Sequence, residues 1–417
     1  MPFHLFERFG IEIEFALVNL DSLRVAPVVD LLLREAAALP AARVESESVP
    51  TWPDEITLGP ITIGNELSAH VLELKVSEPA PSLDGRADHF ASTIASLRPA
   101  LDRLGVMLLP SGMHPTMDPD REFVLWPHGN SEVYAAFDRI FGCKGHGWAN
   151  LQSCHLNLPF ANDDEFGRLH AAIRTLLPIM PALSASTPHI DGHASGLMDN
   201  RLEVYRLNSR RVPQAAGLVI PERVYTRADY ERVILGEVYA GYAPHDPQSL
   251  LRDEWANARG AIARFGRGTI EVRVLDSQEC PRADLAIAST ITAVLRAITE
   301  GRLGNPPALR AWAVEPLHQV LLSVIRDADQ TTLTLTPYLR DLGYTGPCPA
   351  PAAAVWAELL DRALAGNRPP WRADAERILS SGCLARRISR ATPTPALIPD
   401  TYRALALCLE HNELFNL

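Results

Sequence analysis

The stretch Gly10-Ile11-Glu12-Ile13-Glu14-Phe15 alternates carboxylates with large apolar side chains. Successive side chains of a β-strand point to opposite faces. Glu12 and Glu14 therefore share one face, and Ile11, Ile13 and Phe15 the other. Three distant segments repeat the pattern. Val71-Leu72-Glu73-Leu74-Lys75-Val76 places Glu73 beside Lys75. Ser153-Cys154-His155-Leu156-Asn157-Leu158 groups Ser153, His155 and Asn157. Thr269-Ile270-Glu271-Val272-Arg273-Val274 pairs Glu271 with Arg273. An antiparallel strand with one solvated face has the same pattern. These faces, however, are rich in glutamate and carry a histidine and an arginine. If they line one cavity, Glu12, Glu14, Glu73 and Glu271 repel one another at close range. Cations relieve that repulsion, and hard oxygen donors suit Mg²⁺ or Mn²⁺. Neighbouring arginines point to phosphate as the third party.

Around these strands, the first 300 or so residues alternate strand-like with helix-like segments. Alternation alone favours a parallel α/β sheet. The half-buried strands favour an antiparallel sheet and an α+β class. Helices are expected over residues 28–39, 83–104, 163–177, 230–239 and 283–299. Asn162 and the acids that follow it supply a cap and a favourable first turn for the third. The remainder reads as mostly helical, with helices over 314–327, 352–365 and 402–410 separated by proline clusters. The turn Gly304-Asn305-Pro306-Pro307 divides a catalytic region, 1–303, from a C-terminal helical region, 304–417, expected to pack on it.

The chain has 417 residues, 47% hydrophobic and 21% charged, an ordinary globular composition. Its 39 Lys and Arg against 50 Asp and Glu give a net charge of -11. That disfavours nucleic acid and anionic membranes as partners, since both need a basic face. The six cysteines form no CxxC pair and are expected as free thiols. No signal-peptide core and no spanning apolar run is seen, so a cytoplasmic location is expected. Neither a GxxxxGK[ST] motif nor a strand-linked GxGxxG is present.

Taken in order, GIEIEF, VLELKVSEP, CHLNLPF, ALSASTPHIDGHASGLMDNRLEVY and GTIEVRVLD resemble the glutamate–cysteine ligase type 2 family over about residues 8–300. This is a family of carboxylate–amine ligases with a glutamine-synthetase-like catalytic fold. The resemblance implies a curved antiparallel sheet forming a funnel flanked by helices, with divalent ions between the sheet and the phosphates of ATP. Carried over by position, Glu12, Glu14, Glu66, Glu73, His155 and Glu271 are implied metal ligands. Arg273, Arg201 and Glu271 are implied catalytic groups. Asn157, His189 and either Arg210 or Arg211 are implied substrate or phosphate contacts. Two departures stand out. Ser153 occupies a position where many members have a second histidine, which implies a weaker second metal site. Thr187-Pro188-His189 replaces a Ser-Pro-Phe loop near the acceptor.

The implied reaction is ATP- and Mg²⁺-dependent amide formation through an acyl phosphate, with glutamate as donor and an amine as acceptor. The altered loop leaves a peptide or protein amine open, and a homodimer is also open. A phosphotransferase or a non-catalytic member of the same fold is the alternative. Residues 189–198, rich in Gly and Ser, read as a lid. His114 reads as a turn histidine, Cys154 as an inert core thiol, and Trp52, Trp126, Trp148 and Trp255 as packing residues.

Overall fold

Strand β1 (Gly10–Asn19) contains the alternating N-terminal segment and lies near the middle of an antiparallel sheet. The computed structural model describes residues 2–44 and 52–416. Among these, the sheet also contains β2 (Ala42–Arg43), β3 (Glu55–Leu58), β4 (Ile61–Asn65), β5 (Val71–Val76), β6 (Val106–Leu109), β7 (Ser153–Pro159), β8 (Ala261–Arg264) and β9 (Thr269–Asp276). The order is β8-β9-β7-β1-β5-β4-β3-β2, with β6 pairing to the second half of β1, and the sheet does not close. Every ladder within it is antiparallel. The half-buried strands were therefore a better guide to the fold than the alternation of elements.

Register aligns the polar faces. Glu12 stands between Lys75 on one side and His155 on the other, Glu14 faces Glu73, and Glu271 faces Asn157. Because the side-chain period is two, these pairings bring all four polar sets to one face. A register irregularity between Val272 and Leu275 adjusts the end of β9 against β7. On the opposite face Ile11, Ile13, Phe15, Leu72, Leu74, Leu156, Ile270 and Val272 are all fully buried.

Helices Arg86–Leu104, Asp163–Leu176 and Pro281–Thr299 share one hydrophobic cluster with that apolar face. Asn162 caps the second of them, its Oδ1 accepting from Glu165 N–H. Helix Pro281–Thr299 also touches helices Ala352–Leu364 and Arg372–Ser381 of the C-terminal region. The same cluster runs on through Leu317, Leu339, Trp356 and Leu359. Trp356 is fully buried and donates to Ile179 O at 2.7 Å, while Tyr338 donates to Thr175 O at 2.7 Å. Both bonds cross the Gly304–Pro307 turn.

Some helix bounds differ from expectation. The helix expected over 402–410 runs Ile398–His411, because Pro399 falls in the first turn, where its missing N–H costs nothing. The one expected over 230–239 divides into a turn at Arg227–Tyr230, a π segment at Glu231–Leu235 and a helix at Gly236–Tyr242. The one expected from Leu83 begins at Arg86, after Gly85 at φ 73°. No helix of the described residues is long and apolar enough to cross a membrane.

A core shared by both regions should unfold as one unit. Trp356→Ala removes a buried indole and its hydrogen bond, and is expected to cost about 3–5 kcal/mol. Calorimetry should show a single transition shifted down, with no separate C-terminal step.

Candidate active site

The polar face of the sheet forms one wall of a cavity of about 540 Å³. Glu12, Glu14, Glu66, Glu73, His155, Glu271, Arg201 and Arg273 all line it. The strands supply most of these side chains through the register described above. Glu66 follows β4, and Arg201 sits in the first turn of helix Asn200–Asn208. Aromatic residues form a further part of its wall, among them Tyr134, Phe137, Trp148, Tyr205, Tyr242 and Trp255.

Each carboxylate has a distinct environment. Glu12 Oε2 lies 3.1 Å from His155 Nδ1, and its Oε1 accepts from Asn157 Nδ2 at 3.2 Å. Glu14 Oε2 accepts from Ser153 N–H at 2.7 Å and lies 3.0 Å from Ser153 Oγ. Ser153 Oγ is also 2.8 Å from His155 Nε2. Glu73 Oε2 is 3.2 Å from Lys75 Nζ, which also pairs with Glu55. Glu271 is held on both oxygens, by Arg273 Nε at 2.6 Å and Arg264 Nη1 at 3.2 Å.

The electrostatics divide these groups in two. Burial, followed by the charge of Glu12, pushes the Glu73 carboxyl up to about 8. Burial and the charges of Glu14, Glu73 and Glu12 push Glu66 well above the usual carboxylate range. Burial also opposes ionisation of Glu271, but Arg273, His155 and Arg264 outweigh it and hold that carboxyl down at about 2. Burial opposes a charge on His155 too, yet the hydrogen bond to Glu12 and the charges of Glu14, Glu12 and Glu271 raise its pKa. Glu66 and Glu73 are thus carboxylates without enough positive charge near them.

A divalent cation would supply it. One ligand atom each from Glu12, Glu73 and His155 lie within 4.8 Å of one another, and so do one each from Glu14, Glu66 and Glu73. The two groupings share Glu73. Their donors are four carboxylates and one imidazole nitrogen, which fits Mg²⁺ or Mn²⁺. Glu271, expected as a ligand, is instead paired to two arginines and joins neither grouping.

Other expected residues lie elsewhere. Asn157 donates to Glu12 and does not itself line the cavity. His189 is buried, with Nε2 3.1 Å from Oγ1 of Thr392, which caps the end of helix Leu384–Ala391, and does not line the cavity. Arg211 Nη1 donates to Ile140 O at 2.6 Å at the end of helix Ser131–Phe141, and neither it nor Arg210 lines the cavity. The 189–198 segment contributes no lining residue. Its two short strands, His189–Ile190 and His193–Ala194, form a hairpin whose Asp191 lies 3.0 Å from His146. His114 is a buried turn histidine, 2.6 Å from Leu23 O, and Cys154 is buried.

Sequence reasoning passed over Arg264 and the functional use of Lys75. Lys75 carried a readable signal, since it shares a strand face with Glu73. Arg264 ends a four-residue strand too short for periodicity. Trp148 and Trp255 pack as expected, but also line the cavity.

The pKa directions set a pH dependence for the metal-free protein. A raised carboxyl favours folding while protonated, so the contribution of Glu73 is full below about pH 4.5 and is lost as pH rises through about 8. His155 acts in the same direction, whereas Glu271 titrates outside that window. In EDTA the thermal midpoint should therefore fall across this range. Added Mg²⁺ should raise it more near pH 8 than near pH 5, because at low pH the ion must displace protons.

The sequence pattern of glutamate-cysteine ligase family 2 matches residues 8–324. An uncharacterised protein of Archaeoglobus fulgidus is 36% identical over 333 residues, 80% of this chain and 82% of that one. A Clavibacter sepedonicus protein, provisionally named glutamate–cysteine ligase 2, is 26% identical over 74% of this chain and 71% of its own. Among solved structures, a Francisella tularensis glutamate–cysteine ligase in complex with AMP is similar at a TM-score of 0.58, covering 98% of this chain and 90% of that one. A bifunctional glutathione synthetase from Pasteurella multocida is similar at 0.60, covering 96% of this chain and 53% of that one. At 14% identity these two likenesses concern the fold. With a family pattern spanning most of its length, the chain belongs to glutamate-cysteine ligase family 2.

Proposed function

We propose that this protein is an ATP- and Mg²⁺-dependent carboxylate–amine ligase that forms an amide of the γ-glutamyl type, releasing ADP and phosphate. The observation that carries this reading is the pair of carboxylate groupings sharing Glu73, set beside Arg273 and Arg201 in a single cavity. Phosphoryl transfer needs positive charge on one side of the phosphates and anchors for that charge on the other. Mg²⁺ bound there would neutralise the phosphate oxygens during transfer of the γ-phosphoryl group to the donor carboxylate.

The chain's own residues then have separable tasks. Glu12, Glu14, Glu66, Glu73 and His155 hold the ions. Arg273, fixed by Glu271, and Arg201 face the phosphates. Lys75 balances the charge of Glu73. The aromatic wall offers a flat base a stacking surface and keeps water from an acyl phosphate that would hydrolyse. The amine then attacks the acyl carbon, and phosphate leaves. Thr187, Pro188 and His189 do not line the cavity, so their departure from the family's usual loop lends no support to a peptide or protein acceptor. A small amine is the acceptor in this reading, with glutamate as donor.

The test is ADP and phosphate release from Mg-ATP with L-glutamate, without and with L-cysteine, and product mass read by spectrometry. Turnover dependent on both, with the γ-glutamyl product, is expected. ADP formation that leaves a phosphorylated product and no free phosphate would mark a phosphotransferase instead. The double variant Glu12→Ala/Glu271→Ala is expected to lower kcat by at least about 100-fold. Unchanged nucleotide and Mg²⁺ binding in that variant would overturn the site assignment.

A further inference from the structure

Arg201 is 2% exposed, and its guanidinium lies between the cavity and the end of β9. Such a charge is costly to bury unless it is paired and hydrogen-bonded. Among the described residues its one carboxylate partner is Asp276, with Nη1 3.4 Å from Oδ1. Nη2 donates to Arg273 O at 3.0 Å, and Nε has no partner. Asp276 is itself 1% exposed and does not line the cavity.

The other oxygen of Asp276 is committed. Oδ2 accepts from Ser186 N–H at 2.8 Å and from Thr187 Oγ1 at 3.1 Å, and Ser186 Oγ lies 3.2 Å away. Thr187 Oγ1 in turn accepts from Arg201 N–H at 3.1 Å, and Asn200 Nδ2 donates to Thr187 O at 2.6 Å. Gly112 closes over the carboxyl, since a Cβ there would stand 2.6 Å from Asp276 Cγ. This carboxylate cannot turn towards the metal-binding face, and only Oδ1 is left for the arginine. Backbone and side chain of Arg201 are therefore fixed by one network.

We propose that Asp276 is a positioning residue for the reaction. Together with Ser186 and Thr187, it holds the Arg201 guanidinium at the cavity wall, oriented to receive an anionic oxygen of the phosphoryl group in transit. This rests on the ligase reading above. In Asp276→Asn, the amide oxygen takes the place of Oδ2, where every partner is a donor. Its NH₂ then faces Arg201 Nη1, donor against donor, and the guanidinium is displaced.

The test measures steady-state turnover of Mg-ATP in the full-length chain, with the apparent affinity for Mg²⁺ measured alongside. Asp276→Asn should lower kcat by about 100-fold, the size seen when one aligned donor to a developing charge is lost. The apparent Mg²⁺ affinity should stay unchanged, because Asp276 touches no cation ligand. In an Arg201→Gln background the same substitution should cost nothing further. If the two losses multiply, or Asp276→Asn lowers only the thermal midpoint, the proposal is wrong. Thr187→Val, compared with Thr187→Ser, repeats the test should Asp276→Asn fail to fold. The valine variant should lose turnover only where Arg201 is present. A wild-type chain that turns over no Mg-ATP would overturn the ligase reading, and this one with it. A wild-type chain that does so, matched by Asp276→Asn, would overturn this one alone.

Discussion

Repulsion among carboxylates buried on one face of one sheet is the constraint to which the rest of this molecule answers. Glu12, Glu14, Glu66 and Glu73 are buried or half-buried around one cavity, and although burial opposes ionisation of Glu12, its hydrogen bond to His155 brings that pKa down. Glu66 and Glu73 are left short of positive charge. An arrangement of that kind lowers the stability of the empty protein at neutral pH and raises its affinity for cations. The stability lost in the metal-free state and the affinity gained come from the same electrostatics.

The scaffold behind the sheet bears that load. The apolar face of β1, β5, β7 and β9 is closed by three helices, and the C-terminal helices join the same core. Trp356 and Tyr338 tie the C-terminal region to the backbone beneath the site. On the cavity side, Trp148 stacks on Phe141 at 5.0 Å while also lining the cavity. One residue thus serves packing and the site together, and a choice between the two cannot be read from a lone tryptophan in a sequence.

Positive charge in the site is held as tightly as negative charge. Arg273 and Arg264 clamp Glu271, and Arg201 is held from behind by Asp276. Glu271, which the family resemblance implied as a metal ligand, is paired here to both arginines. The site is built from two kinds of carboxylate. Those paired to arginine keep a cationic wall in place, and those without an arginine, Glu12, Glu14, Glu66 and Glu73, form the two groupings that fit a metal ion.

Period-two alternation in four short segments determined which side chains share a face, because backbone geometry alone enforces it. It also identified Glu12, Glu14, Glu73, Glu271, His155 and Arg273 as one chemical set, whereas Glu66 came only from the family resemblance, and the antiparallel class followed from the half-buried pattern. Alternation does not give register, and register placed Glu12 between Lys75 and His155 and Glu14 opposite Glu73. Arg210, Arg211 and His189 share the composition of site residues, but the turn after helix Asn200–Asn208 directs Arg211 to the Ile140 carbonyl and leaves Arg210 exposed, and the hairpin directs His189 to Thr392. Asp276 ends the same strand as Arg273, and its role depends on Ser186, Thr187 and Arg201, up to 90 residues away in sequence. Local geometry is written in neighbouring residues. Which distant groups meet, and so which charges are paired, is set by long-range packing that no single segment encodes.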